Sequence, residues 1–267
     1  MSDPQPTAPP GARRGRPAPL RCAVVRSEQR SATMRRIVLG GGDLDRFEWP
    51  GPASHLKLML PLPGRDAPRL PTPGPDGRVI VERSGLTMRT YTPRAWEPER
   101  GELAIDVFLH GRSPASAWAR GVRPGGQVAI SQPRARFELD QQADWLLLAG
   151  DESASPALAT IVEACADGGG PVPTVVIESS DGDHDLGLPP ATDARFVRRH
   201  ADTPGQAILE ALREMVPSGD GQVWIAGEAR GIRAVRAYLQ GERDIPAAAM
   251  ITRAYWKRGH ADGVDLD

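Results

Sequence analysis

Short runs of alternating apolar and polar residues, broken by Gly, Pro and Asp clusters, fill the chain from about Leu20 to Pro133. That texture is how antiparallel barrel strands read. In His55-Leu-Lys-Leu-Met-Leu60 a period of two places Leu56, Leu58 and Leu60 on one face and His55, Lys57 and Met59 on the other. Lys57 is therefore expected to project away from the core. The Pro- and Gly-rich stretch Gly64 to Gly77 predicts a loop with little regular structure, and Leu103-Ala-Ile-Asp-Val-Phe-Leu109 resumes the alternation.

After Phe137 the pattern changes. Trp145-Leu-Leu-Leu-Ala149, Thr174-Val-Val-Ile177 and Val223-Trp-Ile-Ala226 are continuous apolar runs, the signature of parallel strands covered on both faces. Pro156–Ala166, Gln206–Met215 and Ala229–Gln240 read as helices, the last with Ile232, Val235 and Leu239 on one apolar face. The expected fold class is a β-barrel plus α/β, an N-terminal antiparallel barrel followed by a parallel-sheet domain. The boundaries expected are a disordered tail over 1–19, a barrel domain over 20–140 and an α/β domain over 141–267.

Composition narrows the function. In 267 residues, 33 basic and 34 acidic side chains leave a formal net charge of -1, so no global field draws the protein to nucleic acid or anionic lipid. Cys22 and Cys165 are the only cysteines and no His/Cys cluster has metal-ligand spacing, which predicts reduced thiols, no structural zinc and no iron–sulfur centre. The first residues lack the apolar stretch of a secretory signal, and no run long enough to span a membrane occurs, so a cytoplasmic location without a membrane span is expected. Lysine occurs only twice, at Lys57 and Lys257, in a chain whose other basic charge is arginine.

Several junctions carry candidate chemistry. In Arg89-Thr-Tyr-Thr-Pro-Arg94 a strand puts Arg89 and Tyr91 on one face. A flavin needs a flat aromatic for its ring system and a cation for its pyrophosphate. A strand with an exposed Arg and a half-buried Tyr fits the same hexapeptide. In His110-Gly-Arg-Ser-Pro-Ala-Ser-Ala-Trp-Ala119, Ser113 is an N-cap and Pro114 a first helical residue, which presents backbone N–H groups to a pyrophosphate beside Ser116, or simply starts an ordinary helix with Trp118 in the core. Leu148-Ala-Gly-Asp-Glu-Ser-Ala-Ser-Pro-Ala157 and Trp224-Ile-Ala-Gly-Glu-Ala229 are two strand-to-turn junctions in one sheet, the place where open α/β sheets bind ligands, although neither is a GxGxxG.

Taken in order, Arg-x-Tyr-Thr-x-Arg at 89–94, His-Gly followed by Pro-Ala-Ser-x-Trp-Ala at 110–119, Gly-Asp-Glu-Ser-Ala-x-Pro-Ala at 150–157, Val-Trp-Ile-Ala-Gly-Glu at 223–228 and Tyr-Trp-x-x-Gly at 255–259 resemble the siderophore-interacting family. The resemblance implies a ferredoxin reductase-like layout: an FAD-binding barrel, an NAD(P)H-binding α/β domain, and reduction of ferric siderophores with iron released in the cytoplasm. It assigns Arg89, Tyr91 and Thr92 to the flavin, His110 and Gly111 to the neighbourhood of its rings, and Pro114, Ala115 and Ser116 to its pyrophosphate. Gly150, Asp151, Glu152, Gly227 and Glu228 would border the nicotinamide. Lys57, Lys257 and Arg258 fall where family members carry basic side chains for an anionic siderophore. Ser113 departs from the family's usual Gly. The resemblance also makes a monomer the expected state. No general acid or base is required, because iron is a substrate reduced by electron transfer. A flavin reductase with another acceptor, and a siderophore-binding module without catalysis, are the rival readings. The acidic Ser179–Asp183 stretch favours NADH, while Arg195, Arg198 and Arg199 favour NADPH.

Overall fold

The computed structural model describes residues 17–70, 72–73, 79–80, 87–111, 113–135, 137–180, 187–189, 192–215 and 219–260. Residues 1–16 of the expected tail, and 181–183 of the acidic stretch, lie outside that set. The first half contributes β1 (Leu20–Gln29), β2 (Met34–Gly40), β3 (Leu56–Leu60), β4 (Thr72–Pro73), β5 (Val79–Ile80), β6 (Thr87–Tyr91), β7 (Pro93–Glu97), β8 (Glu102–Phe108), α1 (Pro114–Gly121) and β9 (Gln127–Ile130). Seven of these strands form one antiparallel sheet in the order β6-β3-β9-β1-β2-β8-β7. The two ends of that order, β6 and β7, are separated only by Thr92, so one stretch of chain pairs with β3 at one edge and β8 at the other. The sheet thereby curls into a barrel closed through that one stretch of chain.

Alternate residues point inward and interleave. Leu20, Cys22 and Val24 of β1, Leu56, Leu58 and Leu60 of β3, and Leu103, Ile105 and Val107 of β8 are each at most 2% exposed, and they make the barrel core. Met59, expected on the outer face with Lys57, is only 3% exposed, so that face of β3 is itself covered while Lys57 stays half-buried. Within the Gly64–Gly77 stretch, expected as a loop, Thr72–Pro73 pairs antiparallel with Val79–Ile80, a two-residue ladder too short to read from alternation.

The second half alternates strand and helix: β10 (Trp145–Asp151), α2 (Ser155–Gly168), β11 (Pro173–Ser179), β12 (Ala194–Arg198), α3 (Gln206–Met215), β13 (Gly221–Glu228), α4 (Ala229–Gly241) and β14 (Met250–Trp256). All neighbours are parallel, in the order β12-β11-β10-β13-β14. The continuous apolar runs reflect two covered faces. Leu146, Leu148, Val175 and Ile177 pack on α2, while Leu147, Ala149, Val176 and Ile225 pack on the side of α3 and α4. β12 and β14, which no apolar run announced, are the edge strands, and the exposed side of β12 carries Arg195 and Arg198.

Strand order reverses between β10 and β13, so the carboxyl ends of these two strands form the topological switch point of the sheet. The α2 face looks toward the barrel. Met34, Ala53, Phe108 and Phe137 join its apolar cluster, and the Ala53 N–H donates to Thr160 Oγ1 on α2 at 3.0 Å.

Candidate active site

β6 positions the first group of side chains. Its register against β3 sets Arg89 opposite Leu58, Thr90 opposite Lys57 and Tyr91 opposite Leu56. Opposed residues share a face, so Arg89 and Tyr91 lie together on the side of the core leucines, and Tyr91 packs half-buried against the barrel core. Lys57 lies on the other face of this ribbon, where its Nζ donates to Thr90 Oγ1 at 2.7 Å. The structure therefore joins Arg89 to Tyr91 and turns Lys57 away from both.

Beyond β8 the chain makes the expected helix start. Ser113 caps α1, its Oγ accepting the Ser116 N–H at 3.2 Å, and Ser116 Oγ in turn accepts the His110 N–H at 3.1 Å. Any helix start leaves first-turn donors without intrahelical acceptors; here Pro114 has none to offer and Ser113 covers Ser116, which leaves the Ala115 N–H among the donors available to a ligand. The exposed His110 ring stacks on Phe108 at 5.7 Å, and Gly111, at φ 47, has open space where a side chain would stand. Trp118 packs half-buried against the barrel core. A cation and an aromatic on one strand, a helix start and an uncrowded glycine form a donor set that fits the pyrophosphate and ring system of FAD.

At the switch point, Gly150 lets β10, β13 and α2 approach closely. A Cβ there would stand 2.5 Å from Ala154 Cβ and 2.6 Å from the Ala226 carbonyl oxygen. Gly227 is equally tight, since a Cβ would meet Asp151 Oδ2 at 2.8 Å. The acidic residues around them are almost fully buried, with Asp151 at 2%, Glu152 at 1%, Glu178 at 1% and Glu228 at 4% exposure. Asp151 Oδ1 accepts from the backbone and hydroxyl of Ser153, and its Oδ2 accepts the Trp256 indole N–H at 2.6 Å. Glu152 accepts from the Ser180 N–H at 2.7 Å and pairs with Arg199, whose Nε also donates to Glu178 at 3.1 Å. Glu178 additionally accepts the Gly205 N–H at 2.9 Å.

Burial raises the Asp151 and Glu178 carboxyls above their ordinary range, an effect Arg199 partly opposes. For Arg199 burial works against the charge, but the attraction of Asp151 and Glu152 and the bond to Glu178 outweigh it. Glu228 caps α4 through the Arg230 and Gly231 N–H groups and accepts the Arg258 N–H at 3.2 Å. The Arg258 guanidinium binds the Ala201 carbonyl at 2.8 Å and Asp202 at 3.3 Å. Lys257, half-buried, stands between residues tied to the two strand ends.

The two groups meet through β14. Tyr255, its hydroxyl pushed up to about 12 by burial, lies beside Thr92, the residue that closes the barrel. Its neighbour Trp256 holds Asp151 and lies under the Arg199 guanidinium at 5.8 Å. A continuous path thus runs Tyr91-Thr92 to Tyr255-Trp256 to Asp151. Sequence reasoning quoted Tyr255 and Trp256 as motif letters only, and missed Glu178 and the ion-pair role of Arg199, which lie far from Glu152 in sequence.

An antiparallel barrel docked on a five-stranded parallel sheet defines a ferredoxin reductase-like flavoprotein oxidoreductase. The family model described as the siderophore-interacting FAD-binding domain matches residues 23–137, and that described as siderophore-interacting protein matches residues 143–259. The chain belongs to the siderophore-interacting family. The ferric vibriobactin reductase ViuB of Vibrio cholerae is 28% identical over 239 residues, covering 88% of this chain and 88% of that protein. The NADPH-dependent ferric-chelate reductase of Escherichia coli is 31% identical over 236 residues, covering 87% of this chain and 91% of that protein. The solved structure of a siderophore utilization protein from T. fusca superposes with a TM-score of 0.78 at 25% identity, covering 93% of this chain and 98% of that one.

Proposed function

We propose that the protein is a ferric-siderophore reductase that takes electrons from NAD(P)H through FAD and releases Fe(II) in the cytoplasm. FAD, when held there, would supply the chemistry that couples a two-electron nicotinamide donor to one-electron reduction of two ferric complexes. The chain's own residues hold and align. Arg89 supplies a cation and Tyr91 a flat surface for the flavin, Thr92 fixes the strand that carries them, and the α1 start with Ala115 and Ser116 receives the pyrophosphate beside His110, Gly111 and Pro114. Gly150 and Gly227 give the nicotinamide a close approach to the backbone, while Asp151, Glu152 and Glu228 hold the walls of its crevice. Lys57 and Lys257, with Arg258, attract an anionic siderophore. The two halves of the reading correspond to residues 20–140 and 141–267, in a chain that works as a monomer.

The observation that carries this reading is the Tyr91-Thr92 to Tyr255-Trp256 to Asp151 path, because hydride transfer needs the two cofactor sites to abut within about 3–3.5 Å of reacting atoms. Arg199 is occupied by Glu152 and Glu178, so it brings no unbalanced charge to a 2′-phosphate, which favours NADH. Arg198 faces instead a groove between β12 and α3. An anaerobic visible spectrum tests the whole. The FAD-loaded protein is expected to bleach with NADH, more slowly with NADPH, and to recover its bands with a ferric siderophore while a ferrous trap colours. Absence of FAD binding overturns the reading.

A further inference from the structure

Arg94 ends the Arg-x-Tyr-Thr-x-Arg motif, and its surroundings separate it from Arg89. The pairing of β7 with β8 skips a residue there, since Pro93 opposes Ile105 and Ala95 opposes Ala104, so Arg94 is the extra residue of a β-bulge. A bulge re-aims a side chain, and this one leaves the barrel for α2. Arg94 Nη1 and Nη2 donate to the two carboxylate oxygens of Glu163 at 3.0 and 2.7 Å, and Nη2 also donates to the Gly187 carbonyl at 2.9 Å. Its Nε lies 4.0 Å from Asp106 Oδ2, and Asp106, 1% exposed at its side chain, is held by Arg36 through two bonds of 2.7 Å.

An alternating row of charges, Arg36, Asp106, Arg94 and Glu163, therefore crosses from β2 and β8 through β7 onto α2. That helix begins at the crevice end of β10. Arg94 is on the same continuous segment as Arg89 and Tyr91, so any rotation of α2 about this contact displaces the nicotinamide crevice relative to the flavin strand.

We propose that Arg94 is a positioning residue that fixes the α/β half on the barrel and so aligns the two cofactor sites; the alignment rests on the reductase reading above. A purely stabilising ion pair would alter unfolding and leave transfer between the sites unchanged.

The test compares Arg94→Ala, Arg94→Lys, Glu163→Ala and the double alanine variant, each as the full chain. In the FAD-free chains, amide hydrogen exchange across α2 and β7 is expected to accelerate in both single alanine variants, and FAD affinity read by flavin fluorescence to stay within about twofold of wild type. In the FAD-loaded chains, stopped-flow bleaching by NADH is expected to slow about 10–100-fold, the cost of a misplacement on the ångström scale. Reoxidation of dithionite-reduced protein by ferric dicitrate is expected to be unchanged. The double variant should be no worse than either single one, and Arg94→Lys should recover part of the bleaching rate.

Loss of FAD affinity in Arg94→Ala as large as in Arg89→Ala would make Arg94 a flavin ligand and overturn the proposal. So would unchanged exchange and bleaching in both alanine variants. Should Arg94→Ala not fold, Glu163→Ala decides, because that side chain is 42% exposed. If wild-type protein loaded with FAD is bleached by neither nicotinamide, the reductase reading fails, and the exchange measurement alone still decides whether the clamp exists.

Discussion

In the barrel, Arg89 and Tyr91 stay half-buried on a strand whose backbone is paired on both sides of Thr92, whereas at the parallel sheet Asp151, Glu152 and Glu178 are at most 2% exposed and bonded inward. Arg89, Tyr91, Asp151 and Glu152 all sit in motifs of the family, yet the two pairs work differently. A rigid closed sheet can offer its motif side chains directly to a ligand. The open sheet must first shape a crevice out of loops, so its carboxylates are turned onto Ser153, Ser180, Gly205, Trp256 and Arg199. A motif letter therefore marks a side chain left half-buried in one half and one that builds the crevice in the other.

The contrast breaks most visibly at Arg199. Arg199→Ala leaves the buried Glu152 and Glu178 without their cation, and is expected to lower stability by about 3–5 kcal/mol in urea unfolding, with FAD affinity much less affected once the protein is folded. A loss below about 1 kcal/mol would show that the network is solvated and the contrast overstated. Arg89→Ala probes the other half. It is expected to weaken FAD binding by about 1.5–3 kcal/mol, roughly 10–100-fold in a fluorescence titration, with little change in unfolding. A large stability loss there would make Arg89 a structural residue like Arg199.

Ser113→Ala removes the α1 cap and should cost about 1 kcal/mol in unfolding, with a matching loss of FAD affinity if the helix start receives the pyrophosphate. The smallest effect is a slope. Because burial raises the Asp151 carboxyl above its unfolded value, its contribution is fully present below the ordinary carboxylate range and is lost as pH rises through the folded value, where the native state must ionise a buried group. Asp151→Asn removes that loss, so its stability should fall less than wild type between about pH 4 and pH 7. An unchanged slope would mean that Arg199 and the Trp256 indole already balance the charge.

Much of this was legible from the chain. The leucine alternation of β3 and β8 and the apolar runs of β10, β11 and β13 are local consequences of one or two covered faces, and helix α3 lies on Gln206–Met215 as its periodicity predicts. The Ser113 cap is equally local, three residues from the N–H it binds. β12 and β14 were not legible, because edge strands are covered unevenly and carry polar residues that blur the period. Nor was the re-aiming of Arg94, which depends on a register slip against β8, nor the pairing of Arg199 with Glu152 across 47 positions of sequence.

The sequence by itself determined the two textures, the order of the motifs and the Ser113 cap that starts α1, all of which follow from interactions within a few residues of chain. Only the tertiary structure decided that Thr92 closes the barrel, that Lys57 faces away from Arg89 and Tyr91, and that Glu152 and Glu178 share one arginine. Those outcomes depend on which distant segments exclude water from one another, and burial is what converts a charged residue from a surface ornament into a partner that must be satisfied.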